Sequence, residues 1–410
     1  MKKLIRTACA ACCACVSFLL AVTLLTQAKL PDDYMVAKGD EFFLKNNHIS
    51  ATSVPLSGQI MPVLLSQNGE NYQMDLKLLG SIPIKRVNVQ VVDRKMVVPG
   101  GSPFGIKMYT KGVLVVGMSD IQQGSQNVNP AKDAGLKVGD ILISIDDQPV
   151  HEKKDVAKMI AGSGGQELKF TVTRDGTTMD FYISPVKSQY DDNYKAGIWV
   201  RDSSAGIGTM TYYDPQTLEF HGLGHAICDI DTGEIMPLEK GEIVEVNISG
   251  IHMGLSGQPG ELRGLFVSSQ PIGSLKTNSP AGISGILTHP VIEAQPIPLA
   301  MKQETEVGPA QILATISGSK PRSFDIMIEK VNYSDTTATK NMVVRIVDPE
   351  LLSQTGGIVQ GMSGSPIIQN GRLVGAVTHV FVNDPTRGYG IFAENMEKYA
   401  DNKIIYQNAA

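Results

Sequence analysis

Turn-forming residues punctuate this chain so densely that little room is left for long helices beyond its first thirty residues. The sequence holds 41 glycines and 22 prolines, and both residue types interrupt regular structure. Between them lie short apolar runs rich in Val, Ile and Thr. That pattern predicts many short strands joined by turns. A chain of 410 residues is long enough for roughly two to three domains. With 42% hydrophobic and 19% charged residues, it is neither a disordered chain nor a coiled coil. A net charge of −5 provides no basic field for nucleic acid.

The N-terminus reads as an address. Lys2, Lys3 and Arg6 precede an uncharged run from Thr7 to Ala28. A bilayer span needs about 20 apolar residues, which this run supplies. It equally fits a secretory signal, with Ser17–Leu25 as the apolar middle and Thr26-Gln27-Ala28 as the cleavage site. Residues 1–28 are therefore a signal peptide or a membrane anchor, and either exports the rest. Cys9, Cys12, Cys13 and Cys15 lie in or beside this run. They read as small membrane-compatible residues or acylation sites rather than metal ligands. Cys228 alone remains in the exported part, so no intramolecular disulfide is expected there.

Residues 29–50 read as a tether. Residues 51–98 read as a small β region, with Ile82, Ile84, Val87, Val89 and Val91 set among Lys85, Arg86 and Asn88. In residues 99–187, two short strands precede Pro130-Ala131…Ala134-Gly135-Leu136…Gly139-Asp140-Ile141. A helical piece at Val156–Ile160 and a hairpin at Asp175-Gly176 follow. This segment resembles a PDZ domain of the protease-associated type. The resemblance implies that the glycine-rich turn holds a peptide C-terminus, with Gly101, Phe104, Gly105 and Ile106 as the peptide-binding loop. A polar linker covers 186–193. Residues 194–410 read as an all-β barrel or double barrel with a closing helix over Glu394–Asp401. Trp199, the single tryptophan, is expected in the core.

The motif that most directly suggests chemistry is Gly361-Met362-Ser363-Gly364-Ser365-Pro366. A serine between glycines on a tight turn exposes its hydroxyl beside backbone N–H groups able to stabilise an oxyanion. The motif resembles the nucleophile turn of chymotrypsin-like serine peptidases. That likeness makes Ser363 the nucleophile and the N–H groups of Gly361 and Ser363 the oxyanion donors; Ser365 is the alternative. His221-Gly222-Leu223-Gly224-His225-Ala226-Ile227-Cys228 offers a base, His225 first and His221 second. A metal site of His221, His225 and Asp231 would need a helix at i, i+4, which Gly222 and Gly224 oppose. Cys228 reads as a buried small residue. Asp325, Asp348, Asp229 and Asp231 are candidates to orient the base. Asp348, at a strand end before Pro349, gives the chain order His…Asp…Ser. His379 lies in the strand Val374–Val382 and reads as a packed residue.

Longer runs narrow the likeness. They are Gly222-Leu223-Gly224-His225 and the stretch from Thr355-Gly356-Gly357-Ile358-Val359-Gln360 through the serine motif to Gly375-Ala376-Val377-Thr378-His379-Val380 and Asn383-Asp384-Pro385-Thr386. With them the chain resembles the SpoIVB-type family of PDZ-containing serine peptidases of endospore-forming bacteria. The resemblance implies a mainly β fold, namely a PDZ domain plus a chymotrypsin-like double β-barrel. It implies a triad of His225, Asp348 and Ser363, with no metal or cofactor. It also implies a sporulation signalling endopeptidase, exported across the forespore membrane into the space between forespore and mother cell. Such an enzyme cleaves itself near its N-terminus. It also cleaves a membrane-bound regulator of an intramembrane metalloprotease, activating late mother-cell sigma-factor processing. The PDZ domain serves partner and self recognition, and the N-terminal segment meets the membrane. Met362 stands where digestive relatives carry an aspartate, and Ser365 replaces a glycine. The competing reading is a catalytically silent, membrane-tethered PDZ scaffold.

Overall fold

A computed structural model describes residues 2–42, 44, 48–53, 71–334 and 339–400. Residues 54–70 of the expected β region and Asp401 of the expected closing helix lie outside them. Helix α1 (Lys2–Lys29) is long and apolar enough, by length and composition, to cross a membrane.

Strands β1 (Asp33–Ala37), β2 (Ile49–Ser53), β3 (Tyr72–Leu78) and β4 (Ile82–Val92) form one sheet in the order β1-β4-β3-β2. Alternation in β3 and β4 puts Met74, Leu76, Val87 and Val89 on one buried face. Tyr34 and Val36 join that face because β1 pairs in parallel with β4. Residues 29–50 are thus more than a tether, for they supply strands to the sheet.

After β5 (Met96–Pro99), the chain enters β6 (Pro103–Met118), a long strand shared by two bodies. A compact excursion follows. It comprises the hairpin of β7 (Ile121–Gln123) and β8 (Gln126–Val128), α2 (Pro130–Asp133), β9 (Ile141–Ile145), β10 (Gln148–Pro149) and α3 (Lys153–Gly162). It continues with β11 (Leu168–Arg174), β12 (Thr177–Ile183), β13 (Val186–Lys187) and β14 (Tyr194–Lys195). Then β15 (Ile198–Tyr213) returns antiparallel along β6. Local signals explain the pieces. Asn129 caps α2 by accepting from Lys132 N, with Pro130 in the first turn. At the β11–β12 turn, Asp175 and Gly176 both take positive φ, 48° and 74°, as a two-residue hairpin requires. Val113, Leu142, Ile145, Val156, Phe170 and Val172 form this module's own core.

The ends of β6 and β15 away from the module belong elsewhere. With β16 (Glu219–Gly222), β17 (Leu238–His252), β18 (Glu261–Ser279) and β19 (Gly282–Leu287) they close a ring, β6-β17-β18-β19-β16-β15. The expected boundary at 99 is therefore corrected. Pro103–Thr110 pairs into this first barrel, whereas Ile198 and Val200 pack on the PDZ core. The PDZ module is an insertion in a barrel hairpin, not a domain ahead of the barrel.

The short strand β20 (Ile297–Pro298) leads to β21 (Gly308–Ala314), β22 (Arg322–Val331), β23 (Met342–Ile346), α4 (Pro349–Thr355), β24 (Pro366–Gln369), β25 (Arg372–Phe381) and β26 (Asp384–Phe392). Six of these close a second barrel, β21-β22-β23-β26-β25-β24. Its core includes Ile312, Phe324, Ile326, Val344, Ile367 and Phe392. Each such side chain contributes about 1.5–3 kcal/mol on full burial. Helix α5 (Ala393–Ala400) follows, where a closing helix is expected. The chain is thus mainly β, with a PDZ module and a chymotrypsin-like pair of six-stranded barrels. Trp199 departs from expectation. Ile198 and Val200 point into the module, so alternation turns Trp199 outward, 63% exposed.

Candidate active site

Residues from both barrels line a cavity of about 570 Å³ that holds Ser363, His225 and His379. Ile207, Ile227, Ile358, Val380 and Val382 make much of its wall apolar.

The nucleophile turn lies between α4 and β24. Gly361 and Gly364 both adopt φ +97°. A Cβ on Gly364 would sit 2.0 Å from Thr209 O, so only glycine fits. Strand β15 of the first barrel clasps this turn of the second. Thr209 N donates to Ser363 O (3.0 Å), Thr209 Oγ1 to Gly361 O (2.7 Å) and Thr211 Oγ1 to Gly364 O (2.8 Å). Met362 is fully buried in the second barrel's core. These anchors leave Ser363 half-buried in the cavity wall, its Oγ donating to Thr378 O at 2.7 Å. Ser365, by contrast, is 0% exposed and lines no part of the cavity. The geometry thus favours Ser363 of the two serines. Neither the Gly361 nor the Ser363 N–H has an acceptor among the described residues, as oxyanion donors require.

His225 sits on a bend after β16 in the first barrel. Its Nδ1 donates to Ala226 O at 2.8 Å. A carbonyl only accepts, so Nδ1 carries the proton and Nε2 keeps its lone pair. Burial pushes the imidazole below its usual pKa, while the bond to Ala226 O opposes that shift. Asn278 grips the same loop. Its Oδ1 accepts from Ile227 N (2.8 Å), and its Nδ2 donates to Ile227 O and Met236 O (2.9 Å each). His221 lies elsewhere. It is 2% exposed, stacked on Tyr212 at 4.6 Å and 3.5 Å from Glu397 Oε1. The residues of the metal reading are not gathered either, since Asp231 pairs with Arg201 at 2.7 Å.

Asp348 requires a correction, because the structure does not bring it to His225. It belongs to the second barrel, between β23 and α4, and lines no part of the cavity. Its Oδ1 accepts from Leu351 N at 2.9 Å, capping α4, and its Oδ2 from Asp325 N at 3.4 Å. An aspartate before Pro349 is a strong helix-start signal, and here that role holds the carboxylate. The other carboxylates are engaged too. Asp325 accepts from Gln311, and Asp229 is held by Arg201 and its own turn.

Comparison with known proteins agrees with this architecture. The family model described as SpoIVB peptidase S55 matches residues 192–397. A PDZ domain model matches residues 129–174. The chain belongs to the SpoIVB peptidase S55 family. Among curated relatives, a putative zinc metalloprotease of Brucella suis is 29% identical over 117 residues. That match covers 28% of this chain and 30% of the relative. A probable periplasmic serine endoprotease, DegP-like, of Brucella suis is 24% identical over 41% of this chain and 33% of its own length. The chain therefore spans no more than about a third of the curated relatives it matches. Among solved structures, the Rv3671c protease of M. tuberculosis in its active form aligns with TM-score 0.29 and 14% identity. This alignment covers 50% of this chain and 78% of that one. The PDZ domain of an SdrC-like protein from Listeria monocytogenes aligns with TM-score 0.19 and 19% identity, over 22% and 87%.

In this S55 family member the expected PDZ loop is also corrected. Gly101 N donates to Met210 O, and Phe104, Gly105 and Ile106 pair with β15 and β17 inside the first barrel. Phe104 and Ile106 are buried in that barrel's core. A glycine next to apolar residues marks a barrel strand as readily as a PDZ turn, which is why the two could be confused. A groove of about 490 Å³ lies instead between α3 and β15, lined by Val156, Ile160, Tyr194, Ile198, Trp199 and Val200. Cys228 is exposed rather than buried, at the cavity edge. His379, expected to be a packed strand residue, lines the cavity with its ring centroid 4.9 Å from that of His225.

Proposed function

We propose that this chain is a serine endopeptidase acting on a protein substrate, with Ser363 as nucleophile and His225 as base. One observation carries the reading. An accessible serine, two N–H groups on its own turn and an imidazole Nε2, none of these nitrogens with a partner among the described residues, line one cavity between two barrels. For attack, the Ser363 hydroxyl turns from Thr378 O toward His225 Nε2, a rearrangement in keeping with unliganded sites. Its proton passes to Nε2 as Oγ bonds to the scissile carbonyl carbon. The oxyanion then meets the Gly361 and Ser363 N–H groups; losing one such donor typically costs about 10²–10³ in turnover. Ala226 O holds the tautomer that an aspartate holds in the familiar triad. In this reading Asp348 acts through α4, which ends at Thr355, six residues before Gly361 of the nucleophile turn.

The finer reading rests on the family resemblance. The substrate is the chain itself near its N-terminus and a membrane-bound regulator of an intramembrane metalloprotease. The place is the space between forespore and mother cell, during sporulation. Helix α1 is compatible with the export this requires. The groove between α3 and β15, where residues 198–201 of β15 pair on one side only among the described residues, suits an added peptide strand.

A fluorophosphonate probe tests the assignment. The wild type is expected to label and Ser363→Ala is expected to remain folded and unlabelled. An unlabelled wild type would favour the silent PDZ scaffold, and equal labelling of Ser363→Ala would remove Ser363 from the mechanism.

A further inference from the structure

No carboxylate among the candidates touches His225, yet a catalytic imidazole needs its ring plane fixed as well as its tautomer. Ala226 O fixes the tautomer. The group that meets the ring itself is a second imidazole. His379 projects from β25, one residue after Thr378, whose carbonyl receives the Ser363 hydroxyl. Its ring lies 4.9 Å from that of His225, centroid to centroid, at 39°. Both rings line the cavity with Ser363.

We propose that His379 is a positioning residue for His225, packing against the base so that Nε2 faces Ser363 and water is kept from the ring. This rests on the serine peptidase reading above.

The chemistry of its surroundings suits that role. The groups acting on His379 are His225 from the bend after β16 and Lys340 from the segment before β23, the latter set against Tyr389 of β26. Lys340 Nζ lies over the Tyr389 ring at 5.2 Å. The Tyr389 carbonyl accepts from Thr378 Oγ1 at 3.2 Å. Lost hydration, with His225 and Lys340 nearby, pushes His379 down to about 4. It is therefore neutral at neutral pH. Two protonated imidazoles at this distance would repel, so a neutral neighbour is what the imidazolium of the transition state tolerates.

The test compares His379→Ala and His379→Phe with wild type, reading fluorophosphonate labelling over pH 4.5–8.5. In labelling, the Ser363 Oγ–P bond forms, the P–F bond breaks, fluoride leaves and the hydroxyl proton goes to His225 Nε2. His379→Ala is expected to lower the maximal labelling rate by roughly tenfold to a hundredfold, as misplaced catalytic groups do. Its half-saturating probe concentration is expected to stay unchanged. Its acid limb should move up in pH toward the usual histidine value of about 6.5, because the uncovered His225 regains water. His379→Phe restores an aromatic cover and is expected to recover most of the rate and the wild-type limb. The proposal fails if His379→Ala leaves rate and limb unchanged, or if only the half-saturating concentration rises. It also fails if His379→Phe is as impaired as His379→Ala, for then a ring nitrogen is required. Ser363→Ala separates the two layers: labelling that survives in it overturns the serine peptidase reading itself.

Discussion

At the residue scale, Asp348 caps a helix where a triad carboxylate was expected. Asp-Pro-Glu opens α4, a helix-start pattern for which capping is the first role. Its two acceptor contacts, to Leu351 N and Asp325 N, fit the first role. Asparagine can cap a helix nearly as well as aspartate, whereas alanine costs about 1 kcal/mol. Asp348→Asn is therefore expected to label with fluorophosphonate within a few-fold of wild type. Asp348→Ala should show a lower melting temperature. A fall of about 10⁴ in Asp348→Asn, the signature of a lost orienting carboxylate, would return Asp348 to the triad. Ser363 and His225 were legible because each sits among glycines that bare a polar side chain. His379 was not, because an imidazole within an apolar strand carries no mark of which face it takes.

At the element scale, β15 does the most. Its first residues border the PDZ groove, Arg201 pairs with Asp229 and Asp231 beyond the base loop, and Thr209 and Thr211 hold the nucleophile turn. The sequence signalled short strands here, whereas β6 and β15 each run through two bodies. Gly112 reads as a break between two strands, yet with φ +81° it lies inside the single strand β6. Thr209→Val tests the clasp. It removes the Oγ1 bond to Gly361 O, a net loss of about 1 kcal/mol, while the main-chain bond to Ser363 O persists. The expected outcome is a small drop in melting temperature with a larger proportional fall in labelling rate, because the loosened carbonyl belongs to an oxyanion residue. Equal labelling would show that the main-chain bond suffices.

At the scale of the whole molecule, sharing β6 makes the parts inseparable. A fragment of residues 192–397 contains the matched family segment but lacks Pro103–Thr110, one stave of the first barrel. It is expected to be insoluble or unlabelled. Circular dichroism of a soluble, cooperatively melting fragment would count against the shared-strand architecture. The two cavity histidines also set a pH dependence. Both have folded-state pKa values below the unfolded value near 6.5, that of His379 at about 4. Their contribution to stability is thus present above pH 6.5 and is lost as pH falls toward the folded values. Melting of Ser363→Ala, which cannot digest itself, is expected to drop between pH 7 and pH 4.5. The drop should be smaller when His379→Phe is added.

By itself the sequence determined the kinds of part. Glycine and proline density required β structure, and the Pro130–Ile141 pattern marked a PDZ module. Two glycine-flanked motifs marked a serine and a histidine fit for acyl transfer. Such features are local, written in backbone freedom and side-chain chemistry within a few residues. Tertiary structure alone decided which parts share a strand, which serine faces the cavity, and what stands beside His225. Those outcomes depend on pairing and burial between residues more than a hundred positions apart, as between Thr209 and Gly361. No local pattern encodes such a distance, so the PDZ insertion, the displaced Asp348 and the approach of His379 to His225 emerged only from the folded chain.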